Sequence, residues 1–280
     1  TIGASGDTVN IAGTAGTGFP ASPITAFTNG VDNRVVTATG SAGLNGESTL
    51  TYDGTQLVLT DATEGTDNLL VKTTADGSIS MALEKSDLKY DLGLDHNNDG
   101  SQNFYIRERT KNGSTTNSKR MVIDNSGAIT KPLQPAFLVR VPSDSTHQNI
   151  PTGVTTVNMS TEIIDKGSNW STSTFTAPVT GTYFFQYQLC FGDLQQDIRL
   201  LELAITTSNR SMRGNLINPD RDYSGNAQDY VTYNFSCLTD MDVNDTAIPK
   251  VTRTSGTSGT DIIAGNDANV ISFLSGYLVC

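Results

Sequence analysis

The chain has 280 residues, of which 36% are hydrophobic and 7% aromatic, and its formal net charge at pH 7 is −11. Binding to phosphate backbones needs clustered Lys and Arg, so this acidic balance excludes nucleic acid as a partner. The sequence has no run of eighteen apolar residues, which excludes a membrane-spanning helix. Its wealth of Gly, Thr, Ser, Asn and Asp favours short strands joined by polar turns, and therefore an all-β fold.

Residues 1–30 carry almost no large side chains, with Ile or Val only at positions 2, 9 and 11 of TIGASGDTVNIAGTAGTG. Such a segment cannot bury a core alone. It is predicted to be either a shaft in which identical copies wind together or a flexible Gly-rich linker. The opening TIGASGDTVNIAG is typical of a cut into a repetitive region, so we expect the 280 residues to be part of a longer protein.

Residues 31–132 are predicted to form a β-rich shaft or neck domain. Asp53-Gly54 between two apolar runs indicates one hairpin, and Asn125-Ser126-Gly127 indicates another. The stretch DHNNDG at 95–100 resembles the start of a calcium loop, but its twelfth position is Ile106, which excludes an EF-hand. A looser calcium site and a tight polar turn remain the two interpretations of this stretch.

A third domain is predicted over residues 133–280, because prolines cluster near residue 133 and longer apolar runs follow them. In TFTAPVTGTYFFQYQLCF, Pro178 and Gly181 form a turn, and every odd position from Tyr183 to Phe191 is large and apolar. Alternation with a period of two predicts a strand with one face in a core.

Two further segments, 136–139 and 270–279, are apolar at successive positions rather than alternate ones. A strand that is apolar on both sides must be covered on both sides. In a sandwich of two sheets the opposite sheet covers one face, and no helix is predicted that could cover the other. A neighbouring subunit is therefore expected to cover it.

These segments resemble the C1q family of trimeric heads. The family pattern Phe-x-x-Pro-x-x-Gly-x-Tyr-x-Phe is matched by Phe175, Pro178, Gly181, Tyr183 and Phe185. The family's last strand is similar to residues 273–278, and its Leu-x-x-Gly-Asp-x-Val turn is matched in part by residues 241–247. Asn244 and Ala247 depart from that turn.

The C1q resemblance implies a ten-stranded C1q/TNF-like jelly roll that assembles as a tight homotrimer, with its first and last strands side by side near the three-fold axis. The residues expected in the core or the trimer interface are Phe137, Val139, Tyr183, Phe185, Phe273 and Tyr277.

The upstream segments resemble tail fibres of marine bacteriophages, including those of cyanophages. The residues that carry this likeness are VDNRVVTATGSAGLNGESTLTYDGTQLVL, KRMVIDNSGAITKP and the Gly-rich start of the chain. Together the two resemblances imply a trimeric β-rich shaft followed by a compact head, located in a virion as a tail or capsid fibre and assembled with other virion proteins in the host cytoplasm.

Three candidate sites are expected in the head. Asp240, Asp242 and Asp245 form an acidic cluster that predicts either calcium near the top of a trimer or local capping of backbone N–H groups. Trp170, the single tryptophan, either stacks on sugar rings of a receptor or covers the end of the core. The loop at 216–230 places Asp220, Arg221, Asp222 and Tyr223 together, for receptor recognition or for a salt bridge between subunits.

The sequence contains no pattern for catalysis, since His96 and His147 lie far apart and no Gly-x-Ser-x-Gly motif is present. Among 29 acidic residues a carboxylate pair for glycoside hydrolysis could always be chosen, so such a pair carries no signal. The predicted function is attachment to a glycan or protein receptor on the host surface, without a cofactor unless calcium is bound. The alternatives are a structural trimerisation component without receptor binding and a secreted C1q-like lectin of cells.

Overall fold

The computed structural model describes residues 26–28, 30–31, 33–39, 43–59, 79–85, 88–96, 102–110, 118–143, 147–222, 228–256, 259–266 and 268–280. Its contacts divide the chain into two compact units, Thr1–Ile79 and Ser80–Cys280. Most of the predicted Gly-rich segment at 1–30 lies outside the described residues. The predicted domain boundary near residue 133 stays a prediction.

The first unit contains one small sheet. Its strands are β1 (Ala26–Thr28), β2 (Arg34–Ala38), β3 (Gly43–Tyr52) and β4 (Leu57–Leu59), and β3 pairs with all three others. The predicted hairpin at Asp53-Gly54 is confirmed, because β3 and β4 are antiparallel across it. Asp53 Oδ1 accepts hydrogen bonds from the N–H groups of Thr55 and Gln56, each at 2.8 Å, and these bonds lower the pKa of Asp53. Gly54 supplies the left-handed backbone of the turn, at a φ of 93°.

A five-stranded sheet, here called the neck sheet, follows. Its strands in spatial and sequence order are β5 (Ile79–Lys85), β6 (Leu88–His96), β7 (Gln102–Thr110), β8 (Ser118–Ile123) and β9 (Ile129–Thr130). The second predicted hairpin is confirmed between β8 and β9. There the Asp124 carboxylate accepts the N–H groups of Ser126 and Ala128, both at 2.9 Å.

The remaining strands form a lobe of two facing sheets. They are β10 (Ala136–Arg140), β11 (Gln148–Asn149), β12 (Gly153–Thr156), β13 (Thr161–Lys166), β14 (Trp170–Ser171), β15 (Thr174–Thr176), β16 (Gly181–Gly192), β17 (Leu200–Thr207), β18 (Ser211–Ile217), β19 (Val231–Met241), β20 (Thr246–Thr254), β21 (Asp261–Ile263) and β22 (Phe273–Leu278), with one helical turn, α1 (Pro219–Asp222). Strands dominate the described chain, so the predicted all-β class is confirmed.

The order of strands in the lobe is that of a jelly roll. Sheet I has the order β13-β10-β22-β16-β19, and sheet II has the order β14-β15-β20-β17-β18. The short strands β11 and β21 extend sheet I, and β12 extends sheet II. From β13 onward the chain passes repeatedly between the two sheets, as a jelly roll requires. The first and last strands of the lobe, β10 and β22, pair along Ala136 to Arg140, as the resemblance implied.

One apolar core lies between the two sheets. At its centre, the ring of Phe137 from sheet I lies 4.9 Å from the ring of Phe175 and 5.1 Å from that of Trp170, both from sheet II. Gly276 belongs to this cluster because an added Cβ would lie 2.6 Å from Phe185 and 2.8 Å from Phe137. The aromatic run that begins at Tyr183 therefore builds the core, and a glycine opposite it makes room for the rings.

Candidate functional site

The side chains of β16 alternate between the core and the outer face of sheet I. Tyr183 and Phe185 are buried in the core, as are Phe137 and Val139 of β10. Tyr183 also donates a hydrogen bond of 2.8 Å from its hydroxyl to the carbonyl of Val179, which fixes the preceding turn. Burial raises the pKa of the Tyr183 hydroxyl.

The outer face of sheet I carries a second apolar cluster, here called the lobe face. Neighbouring strands place Leu238, Phe184, Tyr277 and Ala136 side by side in one row. The Phe184 and Tyr277 rings are 5.4 Å apart. Leu238 and Tyr277 remain 57% and 48% exposed. Leu138 and Ile164 pair in the next row of the lobe face, and Phe273 lies in the row after that, where it pairs with Arg140.

Of the six residues expected in the core or the interface, four face the core and two, Phe273 and Tyr277, lie on the lobe face. Phe184 and Leu238 were not predicted from the sequence, although they align with Tyr277 across three strands. Phe184 occupies an even position of β16, whereas the alternating pattern of large apolar residues follows the odd positions. The sequence contains no signal that would pair Leu238 with it, since that register is set by the fold.

The neck sheet has an apolar face of its own, here called the neck face. Strand pairing places Leu94, Phe104 and Ile123 in one row, and it places Leu92, Ile106 and Met121 in the next. Leu92 and Leu94 are 38% and 50% exposed, and Leu83 of β5 is 71% exposed. A row of large apolar side chains that stays open to water is typical of an interaction surface.

The opposite face of the neck sheet carries a charged cluster around a buried aspartate. Asp91 is fully buried, and its Oδ2 accepts hydrogen bonds from Arg107 Nε at 3.2 Å and Nη2 at 2.8 Å. Arg109 Nε lies 2.6 Å from the same oxygen. Burial of Asp91 would raise its pKa, but the hydrogen bonds and charges of the two arginines outweigh it, and the pKa is lowered. The guanidinium of Arg107 also lies 4.7 Å from the centre of the Tyr105 ring.

Trp170 is a core residue. It is 4% exposed, and its indole N–H donates to the carbonyl of Met159 at 2.9 Å. A buried indole has no free face for a sugar ring, so Trp170 covers the core, which was the second of its two interpretations, and it does not belong to a receptor-binding surface.

The predicted receptor loop lies in part within the described residues. Asp220, Arg221 and Asp222 are exposed on α1, and Tyr223 lies outside the described residues. The N–H of Asp220 donates to the carbonyl of Ile198 at 3.1 Å, and Asp222 Oδ2 accepts from the N–H of Asn218 at 3.2 Å. The role of these side chains in recognition stays a prediction.

The three aspartates of the predicted calcium cluster each have a local partner. Asp240 pairs with Arg210 at 2.8 Å, Asp245 accepts from the N–H of Asp242 at 2.8 Å, and Asp242 accepts from Thr180 at 3.4 Å. The turn that carries these aspartates lies near the start of β16, at the end of the lobe where the chain arrives from the neck sheet. The helical turn α1 lies near the opposite end of the lobe. In the described part of the chain no three such ligand residues are placed to hold a metal ion, and a site between copies stays a prediction. The side chains of DHNNDG lie outside the described residues.

No protein-family model and no curated protein matches this sequence. Several solved structures are similar to the chain over 52% of its length, and two of them serve as examples. A structure of murine APRIL matches with 13% identity and a TM-score of 0.37, over 99% of its own chain. The globular domain of zebrafish complement 1qA matches with 18% identity and a TM-score of 0.34, over 98% of its own chain. Among the described helices, none has the length and apolar character needed to cross a membrane.

Proposed function

We propose that the chain is a homotrimeric virion fibre protein whose lobe attaches the particle to a receptor on the host surface. The observation that supports the trimer is the presence of two apolar faces, the lobe face and the neck face, that no other part of the described chain covers. Each of these two faces is the side of its sheet opposite to the side that packs within the chain. A second copy of the chain can cover both faces, because it carries the same lobe face and the same neck face at the same positions along its sequence.

A threefold arrangement is what the C1q resemblance implies, and it suits attachment. Three weak contacts on one rigid head strengthen each other, since the second and third are formed within the same complex. Attachment to a host is supported by the likeness of the upstream segments to phage tail fibres.

The oligomeric state tests the first half of this proposal. We expect sedimentation equilibrium of the full 280-residue chain, 29.8 kDa, to give three times that mass. Tyr277→Asp places a charge on the lobe face, where burial between copies would be costly, and should weaken the trimer. Val243→Asp, which adds the same charge at a 52% exposed position of a lobe turn, is the matched control. A monodisperse single chain at micromolar concentration would overturn the proposal.

Cell binding tests the second half. Fluorescently labelled protein should bind cells of at least one strain in a panel of marine bacteria that includes cyanobacteria. The Tyr277→Asp variant should bind the same cells more weakly, because it loses avidity. Absence of binding to every strain would overturn the attachment function while leaving the trimer intact.

A structural role is the second candidate, and the lobe face favours it because this exposed apolar face belongs to the lobe itself. In this role the lobe holds the shaft chains in register, and receptor binding is carried elsewhere. A chain ended after residue 132 separates the two functions. Trimers that form but no longer bind cells would identify the lobe as the adhesin, whereas chains that fail to trimerise would support the structural role.

A further inference from the structure

The outward face of sheet II contains a groove of about 250 Å³, here called the sheet groove, which is separate from the lobe face. Its floor includes Ala204, which strand pairing places between Arg213 of β18 and Lys250 of β20. Because Ala204 is small and its neighbours are long, a depression forms where a sheet face is otherwise level. The full lining is Val154, Glu202, Ala204, Thr206, Ser211, Arg213, Lys250 and Thr252.

A buried carboxylate fixes one wall of the sheet groove. Glu202 is 2% exposed, and it accepts hydrogen bonds from Arg213 Nε and Nη2, both at 2.5 Å. This two-pronged pair holds the guanidinium in one plane, and it raises the pKa of Arg213. Within the described residues, Arg213 Nη1 makes no hydrogen bond, so it is free to donate to a ligand.

The sheet groove has a net positive charge on a chain with a net charge of −11. Arg213 and Lys250 contribute two cations, and Glu202 contributes one anion. In the described part of the chain the Lys250 ammonium has no ion-pair partner. Arg213 and Lys250 lie on opposite sides of Ala204 and have N–H groups available for a ligand. Such a pair of cationic donors favours a ligand with one anionic group.

Hydroxyl groups line the rest of the sheet groove. The hydroxyl oxygens of Thr206 and Ser211 lie 3.1 Å apart, and Thr252 adds a third hydroxyl. These groups both donate and accept, which matches the hydroxyls of a sugar. A volume of about 250 Å³ lies just below the range of roughly 300–1,000 Å³ of pockets for drug-sized ligands, so the groove suits a single ring.

We propose that the sheet groove binds one carboxylate-bearing sugar residue, of the uronic acid type. Arg213 and Lys250 contact the carboxylate, the three hydroxyl side chains contact the ring hydroxyls, and Ala204 lies under the ring. This inference deepens the attachment function and rests on it, since it names an acidic surface polysaccharide as the receptor. A nucleic acid does not suit the site, because a single net positive charge neutralises too few phosphates.

The test is saturation-transfer NMR of the full chain with methyl glucuronide, beside methyl glucoside and acetate. We expect the glucuronide to bind at least about tenfold more tightly than either, because only it satisfies both the cations and the hydroxyls. Equal binding of acetate would overturn the assignment of a sugar, and equal binding of the uncharged glucoside would overturn the role of the cations.

Two variants localise the binding to the sheet groove. Lys250→Met keeps the length of the side chain and removes its charge, and we expect about tenfold weaker binding of the glucuronide. Ala204→Leu fills the floor without changing any charge and should abolish binding. Lys166→Met, which removes a lysine charge from sheet I of the same lobe, is the matched control and should change nothing. Thermal unfolding of each variant verifies that it folds, and unchanged affinity in a folded Ala204→Leu variant would overturn the proposal.

The outcome is distinguishable from that of the attachment test. Protein that binds cells but not the glucuronide refutes the sheet groove and leaves attachment standing. Protein that binds the glucuronide through Lys250 but adheres to no cell refutes attachment and leaves the site.

Discussion

The lobe and the neck sheet differ in whether the apolar faces of their β-sheets are shielded from water. In the lobe, two sheets cover each other, and the buried apolar cluster extends from Phe137 to Leu274. In the neck sheet, the packed side is polar, built around Asp91, Arg107 and Tyr105, and the apolar side is open. The comparison teaches that the lobe contains its own core, whereas the neck sheet has an apolar face that no other part of the described chain covers.

The largest effect is expected in the lobe core. Phe185→Ala removes a ring that contacts Phe137 and Phe175, and it should lower the free energy of unfolding by about 3–5 kcal/mol. Urea unfolding followed by the fluorescence of Trp170 measures the loss. Gln186→Ala, the next residue on the outer face of the same strand, should change stability by less than about 0.5 kcal/mol. Similar losses in both variants would show that β16 does not face the core as described.

A charge in the neck face should separate the copies and leave the lobe folded. Leu92→Lys would bury an ammonium between copies, and we expect the mass from sedimentation to fall from three chains toward one. The urea midpoint reported by Trp170 should stay within error of the wild type. Val243→Lys, at a 52% exposed position of a lobe turn, is the matched control. A trimer that tolerates Leu92→Lys would remove the neck face from the interface.

Acid should unfold the neck sheet before the lobe. The folded pKa of Asp91 is lowered, and an unfolded Asp titrates near about 3.9. Stability from this group is therefore complete above about pH 3.9 and is lost as the pH falls through the lower folded pKa. Amide NMR signals of β6 and β7 should disappear in this window while Trp170 fluorescence stays native. In Asp91→Asn the neck sheet should be less stable at pH 7, and this acid transition should vanish. Its persistence would assign the transition to another carboxylate.

The smallest effect is expected at an exposed ion pair of the same sheet. Arg120 pairs with Glu108 through Nη2, with side-chain exposures of 44% and 28%. Arg120→Met should cost at most about 1 kcal/mol, because water and salt screen such pairs. Arg107→Met, which leaves the buried Asp91 without its main partner, should cost about 3–5 kcal/mol. Equal costs in thermal unfolding would mean that Asp91 is open to water.

Part of the site could be predicted from the alternation of apolar and polar residues along the strands. The odd positions from Tyr183 to Phe191 predicted a strand with one buried face, and the structure places Tyr183 and Phe185 in the core. The same rule applied to residues 88–94 would have found Leu92 and Leu94 of the neck face, because apolar residues recur there at every second position. The sheet groove had no such signal, since Glu202, Arg213 and Lys250 come from three separate strands.

The sequence by itself determined the all-β class, the hairpin turns and which strands are too apolar for water, because these follow from local periodicity and turn chemistry. Only the tertiary structure decided that Trp170 is buried, that Leu238 lies beside Phe184 and Tyr277, and that a small alanine sits between two cations. The reason is register. Strands far apart in the chain pair through backbone hydrogen bonds that are alike at every position, so side-chain packing across the whole sandwich selects which residues become neighbours.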